Sequence, residues 1–203
     1  MSAGWIVILV VAVIIAVIAL WAISTYNGLV RLRNLVQEAW RQIDVELHRR
    51  YDLIPNLVET VKGYASHERA TFEAVTQARA AAASPSAGPA EQARQENVLS
   101  QALGRLFAVA EAYPQLRASE NFTALQTELS NTEDRIAAGR RYYNANVRSL
   151  NTRVETFPAN IIAAAFTFTR AEYFEANEPA VRRAPRVSFT DSGDGEPGQQ
   201  PPA

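Results

Sequence analysis

The sequence has no cysteine, two histidines, and an almost equal number of basic and acidic residues (20 and 21). Without cysteine the chain can form no disulfide, thiolate metal site, iron–sulfur cluster or cysteine nucleophile. A net charge of −1 gives no general electrostatic reason to bind a polyanion. We therefore expect no nucleic-acid partner.

Recognisable catalytic motifs are also missing. The sequence contains no phosphate-binding glycine loop, dinucleotide fingerprint or serine-nucleophile elbow. His48 and His67 are 19 residues apart, and neither has a second histidine at the three- or four-residue spacing of a helical metal site. Carboxylates are plentiful, but the sequence does not show which of them is buried. We predict no catalytic, cofactor-binding or metal-binding residue and no cofactor, and infer no enzyme.

One long apolar run stands out near the N-terminus. Residues 5–23 are 19 consecutive apolar residues with tryptophan near both ends. As a helix this run would reach about 28 Å, close to the ~30 Å hydrocarbon core of a bilayer. The four residues before it contain no lysine or arginine, and the run is longer than a signal-peptide core. We therefore predict a retained anchor at residues 1–25, in contact with the lipid bilayer through residues 5–23.

Basic residues near the run predict its orientation. No basic residue precedes it, whereas Arg31, Arg33 and Arg41 follow within about 20 residues. Because positively charged flanks stay in the cytoplasm, the N-terminus is expected outside and the remainder of the chain in the cytoplasm.

The remainder has the apolar spacing of helices and no strand-like alternation. A stripe from Leu29 to Leu47 could continue the membrane helix, and Asp52 is a plausible start for a second helix with Pro55 in its first turn. A third helix should end at Pro114, and a fourth should begin at Ser119 and carry a coiled-coil-like stripe. The expected fold is all-α: an N-terminal transmembrane helix, then an elongated antiparallel bundle of three to four long helices at residues 26–176.

Two segments near the C-terminus have different compositions. Residues 157–168 (FPANIIAAAFTF) are apolar but too short to span a bilayer. They are expected to form a short helix that packs on the bundle; the alternative is a patch that touches the membrane or a neighbouring subunit. Residues 177–203 are rich in proline, glycine and glutamine, and we expect this tail to be disordered.

Two arginine pairs and one motif allow more than one interpretation. Arg49-Arg50 and Arg140-Arg141 are expected to be solvated ion-pair partners, with lipid headgroups as the alternative. The motif RRYDLIPN begins at Arg49 and ends at Asn56. It is interpreted first as a structural corner, capped by Asp52 and turned by Pro55, and second as a recognition surface.

Several segments together resemble the LemA family. They are YNGLV at 26–30, RRYDLIPNLVETVKGYASHE at 49–68, YPQLRASENFTALQTEL at 113–129, TEDRIAAGRRYYNANV at 132–147, FPANIIAAAFTF at 157–168 and AEYFEA at 171–176. The resemblance covers about residues 5–176. Gly139 departs from it, because family members usually have a better helix former there. The resemblance implies a bacterial single-pass protein of the inner membrane with a cytoplasmic helical bundle, and it supplies no catalytic residues.

Three functions remain open on the sequence. The preferred one is a membrane-anchored scaffold that forms a homo-oligomer or binds other membrane proteins. The second is a membrane-bound sensor or metal-dependent enzyme that uses carboxylates between helices. The third is a lipid-binding module that organises the membrane.

Overall fold

A computed structural model describes residues 3–175, so the predicted disordered tail lies outside the described residues. The described chain is helical, without strands. Its helices are α1 (Ala3–Lys62), α2 (Arg69–Ala82), α3 (Pro89–Glu111), α4 (Pro114–Arg117), α5 (Glu120–Glu155) and α6 (Ala159–Ala165). The predicted all-α class is confirmed. α1 is long and apolar enough in its first third to cross a membrane.

α1 is a single helix of 60 residues, and this corrects the prediction that a new helix begins at Asp52. Asp52 is exposed within α1, and Pro55 lies inside the same helix. Proline has no N–H to donate to the carbonyl four residues earlier, which here is that of Tyr51. Arg79 Nε donates to that carbonyl at 2.7 Å instead. The helix therefore continues through the motif, and the structural-corner interpretation is wrong.

α1 and α5 form the long antiparallel pair at the centre of the fold. The rings of Trp40 and Tyr143 contact each other at a tilt, with their centroids 5.4 Å apart. Arg135 Nη1 lies 3.5 Å from Glu46 Oε1, and the two contacts define the register of the pair. A Cβ added to Gly139 would lie 3.0 Å from Ile43 Cγ1, so glycine permits the close approach of the two helices at this level. The glycine that interrupts the family pattern thus has a packing role.

The α2–α3 hairpin packs on this pair in the half distant from the apolar segment. It begins after the turn at 63–68, so the second predicted helix is divided between the end of α1 and α2. α3 ends at Glu111, three residues before Pro114. Ser119 occupies the cap position of α5, but its side chain makes no capping hydrogen bond.

The segment after α6 runs along the α1–α5 pair in an extended conformation. Two asparagines of α5, seven residues apart, bind the backbone of this segment through their side-chain amides. Asn151 Oδ1 accepts from Ala171 N at 2.8 Å and its amide donates to Ala171 O at 3.0 Å, and Asn144 Oδ1 accepts from Phe174 N at 2.9 Å. These side chains replace the backbone partners that a strand would have. We call residues 167–175 the strap.

Tyr143 also binds the strap, and its ionisation should lower the stability of the fold at alkaline pH. Its hydroxyl donates to the Glu172 carbonyl at 2.8 Å, and burial together with the Glu172 charge raises its pKa to about 12. The unfolded chain has the ordinary phenol pKa of about 10, so it loses the proton first as pH rises. Between pH ~10 and ~12 the free energy of unfolding should fall by about 1–3 kcal/mol on account of this group.

A Tyr143→Phe variant measures that contribution. It lacks the ionisable group, so its loss of stability between pH ~10 and ~12 should be smaller than that of the unaltered chain. At neutral pH the variant should be less stable by about 0.5–1.5 kcal/mol, since one hydrogen bond is lost. Denaturant titrations in detergent at both pH values give the comparison. Identical pH slopes would contradict the assigned role.

Candidate functional site

A charged side chain is fully buried between the two long helices and the hairpin. Arg50 of α1 has only 2 % of its surface exposed, and its guanidinium reaches carboxylates of two other helices. Nη1 lies 2.8 Å from Glu96 Oε2 of α3, and Nη2 lies 2.7 Å from Glu133 Oε1 of α5. Nη2 also donates to Ser100 Oγ at 2.8 Å. One arginine therefore bridges α1, α3 and α5.

Tyr51 and Gln92 extend these contacts to the end of α2. The Tyr51 hydroxyl donates to Glu96 Oε1, and it accepts from Gln92 Nε2 at 2.9 Å. Gln92 Nε2 also donates to the Ala82 carbonyl at 2.8 Å. We call Arg50, Tyr51, Gln92, Glu96, Ser100 and Glu133 the Arg50 cluster. The Arg50 cluster therefore connects both helices of the hairpin, α2 and α3, to α1.

Burial raises the pKa values of two groups in the cluster, Tyr51 and Glu133. It raises the pKa of the Tyr51 phenol far above the ordinary value, and the hydrogen bond to the negative Glu96 raises it further, so Tyr51 stays neutral. Burial also raises the pKa of Glu133, while Arg50 opposes that shift. Arg50 binds both carboxylates, of which Glu96 is buried and Glu133 is partly exposed. The arrangement suits a structural ion-pair network, since buried charges require such partners.

The remaining arginines and histidines that the sequence singled out are exposed. Arg49 pairs with Glu128 across the helix pair, and Arg140 and Arg141 lie on the outer face of α5. His48 contacts Asp44 of its own helix, and His67 lies in the turn before α2. Within residues 3–175 no group of three or more histidine, aspartate or glutamate side chains is placed to hold a metal ion.

The expectation that Arg50 is solvated is wrong. The position of Arg50 in the sequence already indicates that it is buried. Arg50 follows Leu47 by three residues and precedes Ile54 by four, so it falls on the buried stripe of α1. A charged residue at a stripe position must have a buried partner. The motif RRYDLIPN is thus neither a corner nor, at Arg50, an exposed recognition surface. Arg50 and Tyr51 bind Glu96 and so attach the α2–α3 hairpin to α1.

One face of the α1–α5 pair has no cover among the described residues. An open groove of about 520 Å³ runs between the two helices there. Val45 is 66 % exposed and Tyr142 is 49 % exposed beside it. Ala138, Gly139, Glu46 and Arg135 also line the groove, and the last two form an ion pair. We call this surface the open face. It combines apolar contact area with a salt-bridged border.

Comparison with known proteins assigns the chain to a family. A family model described as the LemA family matches residues 39–189, about three quarters of the sequence. The chain belongs to the LemA family. The resemblance seen in the sequence is thereby confirmed, and the matched region contains the Arg50 cluster, the open face and the strap.

Individual relatives of this LemA-family chain are similar over most of its length. Magnetosome protein MamQ 2 of Paramagnetospirillum magneticum is 28 % identical over 194 residues, covering 82 % of this chain and 71 % of the relative. Protein LemA of Metamycoplasma hominis is 28 % identical over 152 residues, covering 75 % and 69 %. Magnetosome protein MamQ of Magnetospirillum gryphiswaldense is 26 % identical, covering 73 % and 64 %. With the apolar part of α1, this membership makes the chain a membrane-associated helical protein.

Proposed function

We propose that the chain is a membrane-anchored helical scaffold that associates through the open face, with a second copy or with a helix of another membrane protein. The observation that supports this most is the open face itself. Val45 and Tyr142 are large apolar side chains that are exposed on the α1–α5 pair, away from the apolar span. An amphipathic helix laid in such a groove would bury them, which is a common mode of recognition.

The continuity of α1 supports a scaffold role. The same helix carries the apolar span and half of the open face, without a break between them. From Trp21 to Lys62 it extends about 60 Å at 1.5 Å per residue. A partner bound at Val45 would therefore lie about 33 Å from the end of the span at residue 23. The Arg50 cluster and the strap keep this rod rigid without covering the open face.

The proposed location is the bacterial inner membrane, with residues 5–23 spanning it, the N-terminus outside and the body in the cytoplasm. The arginines that follow the span support this orientation. A reporter fused after residue 175 should be active when it is of the cytoplasmic type and inactive when it requires export. The reverse result would overturn the orientation.

Charging the open face should weaken association. In mild detergent we expect the full chain to run as an oligomer or with a co-purifying protein. Val45→Lys with Tyr142→Lys should shift it to the monomer, because two lysines would have to be buried. Light scattering coupled to size-exclusion chromatography reads the mass.

Val98→Lys provides the matched control for that experiment. Val98 is 57 % exposed, comparable to Val45, but it lies on the hairpin rather than on the open face. This variant should keep the unaltered mass. A monomeric unaltered chain without a partner, or equal dissociation of the control, would contradict the proposal.

A further inference from the structure

The end of the bundle near the span contains a second feature that the scaffold role does not use. α5 runs antiparallel to α1, and from the contact of Trp40 with Tyr143 its last residue lies beside about residue 28 of α1. That level is about five residues, or about 7.5 Å, beyond Ile23 at the end of the span. The headgroup layer of a bilayer is about 5–8 Å thick on each side. The α5–α6 turn therefore lies at the level of the lipid headgroups if residues 5–23 span the membrane.

Exposed apolar side chains are concentrated at this turn. Phe157 is 75 % exposed, Ile161 is 57 % exposed and Phe166 is 56 % exposed. Ala159 and Ala163 of α6 are buried against the bundle. The rings of Tyr26 and Phe166 make an edge-to-face contact with their centroids 4.8 Å apart. Ile161 and Phe166 are thus presented from a helix that is fixed to the bundle. Aromatic and aliphatic groups held at this level match the boundary between headgroups and acyl chains.

A basic cleft lies beside these side chains. It has a volume of about 480 Å³, and its walls include Trp21 from the end of the span and Phe157 and Pro158 from the turn. Arg148 and Arg153 of α5 provide its charge, and no carboxylate lines it. Among residues 3–175 neither arginine has an ion-pair partner, whereas nearby Arg170 pairs with Glu155 at 3.0 Å. Two uncompensated guanidinium groups next to apolar walls are suited to a phosphate that carries acyl chains.

We propose that Arg148 and Arg153 bind the phosphate of an anionic membrane lipid, with Trp21 and Phe157 against its acyl chains. The bound lipid would fix the α5–α6 turn to the leaflet and so set the tilt of the bundle on the membrane. A helix of a protein partner is the less suitable occupant, because the cleft begins at Trp21 in the membrane span and extends from there toward Leu32 and Arg148. The inference rests on the span crossing the bilayer and does not depend on self-association.

Native mass spectrometry of the full chain tests the site. The chain is released from detergent micelles containing either phosphatidylglycerol or phosphatidylcholine, and the fraction with bound lipid is measured as the lipid concentration is raised. We expect clear preference for phosphatidylglycerol. Arg148→Gln with Arg153→Gln should lower the apparent affinity about tenfold or more per arginine, since each loses a charge-assisted hydrogen bond. Arg148→Lys with Arg153→Lys should retain most of the preference.

Arg140→Gln with Arg141→Gln is the matched control. It makes the same change of charge on the same helix, but at two exposed residues outside the cleft. This variant should bind phosphatidylglycerol as the unaltered chain does, and inorganic phosphate should not compete. An equal loss in both variants, no preference over phosphatidylcholine, or competition by inorganic phosphate would each overturn the proposal. Failure of the span itself would be seen separately, as a chain absent from washed membranes.

Discussion

Replacing Arg50 with methionine should destabilise the bundle by about 3–5 kcal/mol, because the substitution leaves the buried carboxylate of Glu96 without its counter-charge. Glu133 also loses its partner, but its side chain is 41 % exposed and contributes less to the loss. The loss should be largest for the hairpin, which the Arg50 cluster ties to α1. Hydrogen exchange of the full chain in detergent should show fast exchange in α2 and α3, while α1 and α5 remain protected. Thermal unfolding gives the overall loss.

Arg49→Met is the matched control, because Arg49 is the neighbour of Arg50 in the sequence. Arg49 also pairs with a glutamate, Glu128, but its side chain is 45 % exposed, whereas that of Arg50 is 2 % exposed. Exposed pairs contribute about 0–1 kcal/mol, so this variant should unfold close to the unaltered chain. Combining Arg50→Met with Glu96→Met should recover part of the loss, since it removes a buried carboxylate as well. Equal effects at residues 49 and 50 would contradict the role of the cluster.

Two arginines in the middle of the apolar run should abolish stable membrane insertion. Residues 5–23 include 13 valine, isoleucine and leucine residues. Each contributes about −0.3 to −0.6 kcal/mol to insertion near the centre of the span, and an arginine costs about 2.5–3.5 kcal/mol. Ile14→Arg with Val17→Arg should therefore cancel most of the favourable total. After an alkaline wash the variant should leave the membrane fraction, which the unaltered chain should not.

Ile14→Leu with Val17→Leu separates the effect of charge from that of substitution. This control preserves the apolar run, so it should remain in the washed membranes as fully as the unaltered chain. Retention of the arginine variant in the same fraction would mean that attachment depends on the body, and the span assignment would fail.

The sequence predicted those parts of the fold that depend on local pattern. The apolar run, the stripes of α1 and α5, the end of α5 before Phe157-Pro158 and the all-α class follow from spacing and composition. The continuity of α1 through Pro55 did not, because it depends on Arg79, which is 28 residues from the Tyr51 carbonyl that it binds. From the local pattern a proline is expected at the beginning or end of a helix. The distant donor that binds the carbonyl freed by Pro55 is not visible in that pattern.

Long-range polar contacts explain the other differences. Arg50 was expected to be solvated because arginine side chains usually are. Its three partners belong to α3 and α5, which are distant in sequence, so the local pattern does not show them. The strap has no periodicity that predicts its course, since Asn144 and Asn151 provide its hydrogen bonds through side chains. The open face and the basic cleft likewise form only when α1 and α5 lie together. Sites built across helices are therefore absent from any single stretch of sequence.

Cysteine cross-linking in native membranes tests the scaffold account most directly. Because the chain has no cysteine, a single Val45→Cys substitution places one thiol on the open face. Labelling this thiol with a maleimide that carries a benzophenone and irradiating the membranes should convert the variant into one product of defined mass, because the excited benzophenone inserts into C–H bonds of any neighbouring chain. Mass spectrometry should identify a second copy or a single membrane protein. Val98→Cys, on the hairpin, should give no such product. No defined product at residue 45, or the same products at residue 98, would contradict the account.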